Sequence, residues 1–237
     1  MPSRVIKIKP SHNRVVKPRN SPNKAIPINP NVLLNESTRL LPNKSYVIVA
    51  YYTIGTPYEA EASKLITSLK KLNISYDVVG VKNLGDWQSN TRFKAKFMQD
   101  MLTKHSGKSL VYVDSDAIVH SNPVLFDNYD CDIAVRWQDF KWRKNECLSG
   151  TIYMANNEAT LKLCKSWEDQ NTTNKVNNLE QWNLGDVIQD ARSKNLIKDK
   201  NLPPEYTMIF DSMRLMYPNI KPVIEHFQAS RKYKRKI

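Results

Sequence analysis

The stretch Ser109-Leu110-Val111-Tyr112-Val113-Asp114-Ser115-Asp116 runs from an apolar segment directly into two aspartates. Leu110 to Val113 are aliphatic, β-branched or aromatic, which predicts a buried strand. Carboxylates at the end of such a strand are costly to bury unless they are paired or bind a metal. Ligands of open α/β sheets bind outside the carboxyl ends of the strands, so Asp114 and Asp116 predict a divalent-cation site. A polar loop in which Asp116 caps a turn is the simpler alternative.

The order of the predicted elements around this stretch indicates one α/β domain. Residues 46–53 and 75–81 are predicted strands, and a helix is predicted between them over 58–72. This β-α-β order predicts parallel strands joined by a right-handed crossover. Further helices are predicted at 92–104, 159–171 and 180–196, and further strands at 132–137, 148–154 and 223–224. The prediction is a mostly parallel central sheet flanked by helices.

Composition divides the chain into three parts. Residues 1–44 are rich in Pro, Asn and Lys, which predicts an extended or disordered basic arm. A single folded domain is predicted over residues 45–230, and residues 231–237 are predicted to form a basic tail.

The net charge of +13 is concentrated at the two ends of the chain. Residues 1–30 contain seven basic residues and residues 231–237 contain five, without any acidic residue in either segment. Residues 31–230 hold 24 basic and 23 acidic residues and are close to neutral. Basic ends of this kind attract polyanions such as nucleic acid, or an anionic membrane surface. Solubilising tails are the plainer explanation.

The cysteines and the apolar segments indicate the compartment. Cys131, Cys147 and Cys164 form no CxxC pair and no disulfide framework, which is typical of a reducing compartment. No segment has the apolar core of a signal peptide or the length of a membrane span. The expectation is a cytoplasmic protein, in the host-cell cytoplasm if the source is viral.

Residues with chemistry suited to phosphate or metal occur at several predicted element ends. His226 follows a strand and imidazole is a common metal ligand, while Ser230 and Arg231 could meet phosphate oxygens. Either Lys94 or Lys96 could neutralise a phosphate, and Gly150 permits close approach of a ligand. Each has a structural alternative: a core histidine, a solvated helix face for either lysine and a β-bulge for the glycine.

Glu180 and Gln181 are a second kind of candidate, because an acid beside an amide could orient the hydroxyls of a substrate. A favourable acidic helix start is the alternative. A second Asp-x-Asp, formed by Asp130 and Asp132, precedes a predicted strand and therefore lies at the wrong end of the sheet for a ligand.

Several motifs in a fixed order carry a family resemblance. They are Tyr52-Thr53, Trp87…Asn90…Lys94-x-x-Phe97, Asp114-Ser115-Asp116, Ser149-Gly150-Thr151, Glu180-Gln181 and His226. Together, over residues 46 to 232, they resemble a GT-A-fold glycosyltransferase, an enzyme that transfers a sugar from a nucleotide diphosphate. The resemblance implies a single Rossmann-like GT-A domain and a nucleotide-sugar donor, for which a UDP-sugar is the first expectation.

The resemblance also implies a role for each matched residue. Asp114, Asp116 and His226 would bind Mn²⁺ or Mg²⁺. Tyr52 and Thr53 would contact the nucleotide base. The other expected donor-binding residues are Asn90, Lys94, Ser115, Ser149, Gly150, Ser230 and Arg231.

The expected catalytic residues are Glu180, Gln181 and Asp186. The first two resemble the Asp-Gln pair that faces the transferred sugar in some retaining members, with Glu in place of Asp. Asp186 is the candidate base that an inverting reaction would need, although the similarity favours a retaining enzyme. The Gly-x-x-Lys that often follows the late histidine in such members is replaced here by Gln228-Ala229-Ser230-Arg231.

The charged ends suggest a polyanionic acceptor, and DNA carrying hydroxymethylated bases, as in viruses and phages, is the first hypothesis. Such DNA-modifying glycosyltransferases are similar to this chain only in being small, soluble and basic. Chemistry on a base within a duplex would require its extrusion. The alternatives are an envelope or lipid-linked glycan acceptor, and a catalytically inactive nucleic-acid-binding protein on the same scaffold. The oligomeric state is left open.

Overall fold

The computed structural model describes residues 37–42, 44–141, 143–173 and 179–233. The strands of this described part are β1 Thr38–Arg39, β2 Tyr46–Thr53, β3 Tyr76–Val81, β4 Ser109–Val113, β5 Ala117–Val119, β6 Ile133–Gln138, β7 Glu146–Met154, β8 Asp199–Asn201, β9 Met208–Ile209 and β10 Ile224–His226. The helices are α1 Tyr58–Lys71, α2 Trp87–Arg92, α3 Lys94–Lys104, α4 Glu158–Thr173, α5 Glu180–Ser193, α6 Ser212–Met216 and α7 Ala229–Tyr233.

Seven of these strands form a central sheet in the spatial order β1-β3-β2-β4-β7-β6-β8, and three form a small sheet in the order β5-β10-β9. The predicted α/β class is therefore confirmed. The sheet is mixed rather than mostly parallel: β2 runs parallel to β3 and β4, whereas β7 runs antiparallel to both β4 and β6. β6 and β7 follow each other across a short loop, and a direct connection of this kind forces antiparallel pairing.

Strand β2 lies at the centre of the domain because its side chains are apolar on both faces. Every residue from Tyr46 to Thr53 is buried. Ile48 and Ala50 pack into the core beneath α1, whereas Val47 and Val49 pack into the core beneath α3, α4 and α5. Successive strand residues point to opposite faces, so one apolar run supplies both cores. The carboxyl end of β2 is thereby held at the end of the sheet where a ligand can bind.

The helix predicted over residues 92–104 is two helices, α2 and α3, separated at Phe93. The hydroxyl of Tyr51 on β2 donates to the Asn90 carbonyl at 2.8 Å, the acceptor that the Lys94 amide would use in a continuous helix. A side chain inserted into the helical hydrogen-bond ladder interrupts it. The interruption turns the start of α3, and with it Lys94, towards the end of the sheet.

The ends of the chain fall largely outside the described residues, including residues 1–36 of the predicted arm and residues 234–237 of the predicted tail. Within the described part, Thr38 and Arg39 pair with β3, and Arg231 belongs to α7 rather than to a separate tail. No helix in the described ranges combines the length and apolarity required to cross a membrane.

Candidate active site

A cavity of about 430 Å³ lies at the carboxyl ends of β2 and β4. The ligand site was predicted from the sequence at these carboxyl ends of the strands. Most of the predicted site residues meet here. Those that line the cavity are Tyr52, Thr53, Asn90, Lys94, Asp114, Ser115, Asp116, Ser149, Glu180, Gln181, Ser230 and Arg231.

Three predicted metal ligands converge beside this cavity: Asp114 and Asp116 line it, whereas His226 is buried and does not. Asp114, Asp116 and His226 each offer a ligand atom, and these atoms lie within 4.8 Å of one another. The turn between the aspartates is closed by the Ala117 amide, which donates to the Asp114 carbonyl at 2.9 Å. The two carboxylates are oxygen ligands that suit Mn²⁺ or Mg²⁺, and the imidazole adds a nitrogen ligand, which zinc and iron also use.

The orientation and the protonation state of the His226 ring suit a metal ligand. Its Nε2 lies 2.8 Å from the Thr151 hydroxyl, whereas its buried Nδ1 has no hydrogen-bond partner among the described residues. Burial lowers the pKa of His226, so the ring is neutral near pH 7. A neutral ring with one nitrogen oriented by a hydrogen bond and the other unused is the form that coordinates a metal.

The two aspartates also fit a bound cation. Burial and the neighbouring Asp114 carboxylate raise the pKa of Asp116 to about 7, because two negative charges close together repel each other. A divalent cation between them would remove this repulsion. The Asp116 side chain is held by the Ala229 amide, which donates to Oδ2 at 2.7 Å.

Gly150 keeps the space between these ligands open. A Cβ atom at this position would lie 3.2 Å from His226 Cε1, 3.3 Å from His226 Nδ1 and 3.3 Å from Asp114 Oδ2. The side chains of His226 and Asp114 therefore approach this strand closely. Any larger residue would crowd Asp114, Asp116 and His226, which are called here the three-ligand group.

Lys94 forms the opposite side of the same site. Its buried ammonium donates to Glu180 Oε1 at 2.9 Å and to the Ser149 carbonyl at 3.1 Å, and lies 3.2 Å from Asp114 Oδ1. Burial alone would lower the pKa of Lys94, but the Asp114 and Glu180 carboxylates outweigh it and raise the pKa above its ordinary value. The site thus holds a permanent positive charge beside the predicted metal ligands.

Glu180 is fixed by this contact but is not fully used. Its Oε1 accepts from Lys94 and, at 2.7 Å, from the Ser149 hydroxyl. Its buried Oε2 has no hydrogen-bond partner in the part of the chain that the structure describes. Buried carboxylate oxygens without a partner are unfavourable, so this atom has an unused hydrogen-bonding position.

Residues predicted to contact the nucleotide lie at the cavity wall, where their side chains form hydrogen bonds within the protein. The Thr53 hydroxyl pairs with that of Thr56 at 2.8 Å. Asn90 accepts from the Leu84 amide and donates to Asn83, so its side chain shapes the loop before α2. Its amide is engaged in the protein, and its contribution to the cavity is mainly this loop geometry.

The segment after His226 enters the cavity through a left-handed turn. Gln228 has φ of +52°, in the region that favours glycine, at the position where the related motif has its glycine. Ser230 and Arg231 follow and line the cavity. The Arg231 guanidinium forms an ion pair with Asp211. This turn gives the replacement segment the same path that a glycine would permit.

The structure separates the last two predicted catalytic residues. Gln181 lines the cavity and donates to Glu146 at 2.7 Å. Asp186 lies in a different groove, between α4 and α5, where it is exposed and accepts from Gln170 at 3.3 Å. Six residues along α5 place it on a face away from Glu180. The candidate base is thus not brought to the cavity, and we assign it no catalytic role.

Other aromatic residues of the cavity had no role in the sequence prediction, among them Tyr58 and Tyr112. The Tyr112 hydroxyl donates to Asp114 Oδ1 at 2.9 Å and so orients the first aspartate. Strand alternation could have indicated this contact, because residues two apart on a strand share a face.

A model of the nucleotide-diphospho-sugar transferase family matches residues 69–237. The chain belongs to this family. The GT-A resemblance is confirmed, and the chain is a nucleotide-sugar glycosyltransferase. The sequence matches no curated protein.

Solved structures are similar to this glycosyltransferase in fold. One is a glycosyltransferase involved in the glycosylation of the major capsid of PBCV-1, with a TM-score of 0.58 and 13% identity over 80% of this chain and 97% of that chain. Another is the glycosyltransferase GlyE of Streptococcus pneumoniae TIGR4, with a TM-score of 0.57 and 14% identity over 82% of this chain and 57% of that chain. This chain therefore spans little more than half of GlyE.

Proposed function

We propose that this transferase is metal-dependent and moves a sugar from a nucleotide-diphosphate sugar, with UDP-sugars as the first donors to test. The observation that carries the metal dependence is the convergence of Asp114, Asp116 and the unused Nδ1 of His226. When bound there, Mn²⁺ or Mg²⁺ would act as a Lewis acid on the departing diphosphate.

The donor is proposed to lie across the cavity from β2 to α5. Tyr52 and Thr53 stand at the end suited to the nucleotide base, and the three-ligand group stands where the diphosphate would be held. Lys94 supplies a fixed positive charge beside the leaving group, which stabilises the charge that develops as the sugar–oxygen bond breaks. Glu180 and Gln181 lie at the end suited to the transferred sugar.

We further propose that the reaction retains the anomeric configuration. The carboxylates lining the described part of the cavity are Asp114, Asp116 and Glu180. The first two belong to the three-ligand group and the third is paired with Lys94. An inverting reaction needs a free base for the acceptor hydroxyl, whereas in a retaining reaction the departing diphosphate oxygen can take that proton. NMR of the anomeric proton in newly formed product tests this directly, and inverted product would contradict retention.

The acceptor is proposed to be a polyanion, with DNA carrying hydroxymethylated bases as the first candidate. The support is the charge distribution: basic and acidic residues nearly balance over residues 31–230, and the excess of basic residues lies at the two ends of the chain. Such residues give salt-dependent binding that does not read sequence. Labelled donor incubated with hydroxymethylated DNA, plain DNA, envelope glycans and protein acceptors separates the possibilities, and label in glycan or protein alone would contradict the DNA acceptor.

Hydrolysis of nucleotide sugars in the absence of acceptor tests the donor and metal together. We expect Mn²⁺-dependent release of the nucleoside diphosphate, and its loss on chelation. Asp116→Asn is expected to lower this rate at least about 100-fold, since removing metal stabilisation of the leaving group costs several kcal/mol.

The second Asp-x-Asp provides the matched control. Asp130 is exposed and pairs with Lys198 away from the cavity, so Asp130→Asn is expected to leave hydrolysis unchanged. Hydrolysis that is equally fast in Asp116→Asn and in the unaltered chain would contradict the proposed metal site.

A further inference from the structure

Phe210 and Phe227 form an exposed aromatic pair beside the candidate active site, called here the phenylalanine pair. Their ring centroids are 6.0 Å apart and their planes differ by 16°. The two residues are 41% and 39% exposed. Contact between the two rings buries part of their apolar surface, but the faces that remain exposed to water are unfavourable, and contiguous exposed apolar surface often marks a binding site.

The phenylalanine pair is fixed directly to the proposed metal ligands. The Phe210 amide donates to the His226 carbonyl at 3.1 Å, and the Phe227 amide donates to the Asp116 carbonyl at 3.3 Å. The pair borders a second cavity of about 360 Å³, and Asp116 and Arg231 line both this cavity and the first. A group that covers the pair is therefore held next to the donor site, where an acceptor must arrive.

Charged side chains of both signs line the second cavity beside the phenylalanine pair. The cations are Lys64, Arg231 and Lys232, and the acids are Glu61 and Asp116. Lys64 pairs with Glu61, whose side chain is only 12% exposed, and Arg231 pairs with Asp211. The Arg231–Asp211 pair is exposed on both sides, so it contributes little and an anionic ligand can replace it. Of the three cations, Lys232 forms no ion pair with a described residue, so it can contact a phosphate without giving up an ion-pair partner.

We propose that the phenylalanine pair stacks a nucleobase of the acceptor, presented by a single-stranded or extruded nucleotide, while the surrounding cations contact its phosphates. The proposal rests on the proposed transfer function and adds the structural element that would receive the acceptor. Exposed aromatic rings in a cationic setting bind single-stranded nucleic acid because every base offers a flat π face. The two rings already stack on each other, so the base extends the stack from its exposed side.

Binding of a fluorescently labelled single-stranded oligonucleotide to the full chain tests the proposal. At fixed low salt, Phe210→Ala is expected to weaken binding about ten- to 100-fold, the range typical of losing one stacking contact. Phe210→Tyr keeps the aromatic face and is expected to bind like the unaltered chain. Leu215→Ala is the matched control, because Leu215 is 84% exposed on the nearby α6 and belongs to neither described cavity wall.

Three results would overturn the stacking proposal. They are unchanged oligonucleotide binding in Phe210→Ala, an unaltered chain that does not bind the oligonucleotide, and a loss in Phe210→Ala confined to neutral oligosaccharides. Thermal unfolding of each variant checks that it is folded. Mn²⁺-dependent donor hydrolysis by the unaltered chain is measured separately: its absence contradicts the proposed function, whereas hydrolysis without a stacking loss contradicts only the stacking.

Discussion

The Nε2 atom of His226 lies 2.8 Å from the Thr151 hydroxyl, and this contact joins the small sheet to the central sheet. It fixes the ring so that the other nitrogen remains without a partner among the described residues. The hydroxyl thus orients a proposed metal ligand without being a ligand itself. Contacts of this kind tune both the orientation and the basicity of an imidazole.

Replacing this hydroxyl is expected to weaken metal binding. Thr151→Val keeps the shape of the side chain but removes the partner of Nε2, so the ring can rotate away from the two aspartates. We expect Mn²⁺ affinity, measured by calorimetry, to fall about ten- to 100-fold. Thr207→Val is a matched control, since Thr207 is buried and its hydroxyl has no partner in the described structure. Equal Mn²⁺ affinities of the two variants would contradict the orienting role.

Gly150→Ala is expected to impair the metal site while leaving the fold intact. The added methyl would lie 3.2–3.3 Å from atoms of His226 and Asp114, closer than most such contacts, and would push the two ligands apart. We expect at least a ten-fold loss of Mn²⁺ affinity, with destabilisation within the range of about 1–3 kcal/mol for overpacking. Titration with Mn²⁺ and urea unfolding measure the two effects, and unchanged affinity would show that the space is not needed.

The Lys94–Glu180 contact is expected to behave as a buried ion pair. Lys94→Met leaves Glu180 buried without its cation, which is expected to cost about 3–5 kcal/mol of stability. Adding Glu180→Gln removes the orphaned charge and is expected to restore part of that loss. Urea unfolding of the two single variants and the double variant gives the coupling. Strictly additive effects would mean that the two side chains do not depend on each other.

A buried aspartate far from the cavity predicts an acid-dependent loss of stability. Burial alone would raise the pKa of Asp77, but hydrogen bonds from His105, Lys104 and Thr38 outweigh it and lower the pKa to about 2. Because the folded value lies below the ordinary 3.8, this group stabilises the fold above pH 3.8 and loses that contribution as the pH falls towards 2. The contribution is about 2 kcal/mol.

Urea unfolding at a series of pH values isolates this group. The stability difference between the unaltered chain and Asp77→Asn is expected to shrink by about 2 kcal/mol between pH 4 and pH 2. Parallel stability curves for the two proteins over this interval would contradict the assignment.

The fold was predictable where the signal was local. Strand β2 has the predicted bounds, Tyr46–Thr53, because its apolar run is continuous and ends at a glycine turn. The direction of β7 was not predictable, since apolar periodicity carries no information on strand direction. The break between α2 and α3 depends on the Tyr51 hydroxyl, about forty residues away in the chain, and therefore leaves no mark on the local pattern.

In the candidate site, too, only the residues with a local sequence signal were predictable. Asp114 and Asp116 were predictable because they follow a buried strand, and His226 was predictable because its motif resembles that of a known family. Phe210 and Phe227 belong to no motif, and they meet only because β9 pairs with β10. A contact that depends on the pairing of two separate strands cannot be read from the local sequence around either residue.

The two outer strands of the central sheet have a consequence for assembly. At one edge β1 covers β3 with two residues, Thr38 and Arg39, and at the other β8 has only three, of which Asp199 and Lys200 are charged. Short, charged outer strands disfavour the addition of a strand from another molecule. Within the described residues, these outer strands therefore discourage aggregation by extension of the central sheet.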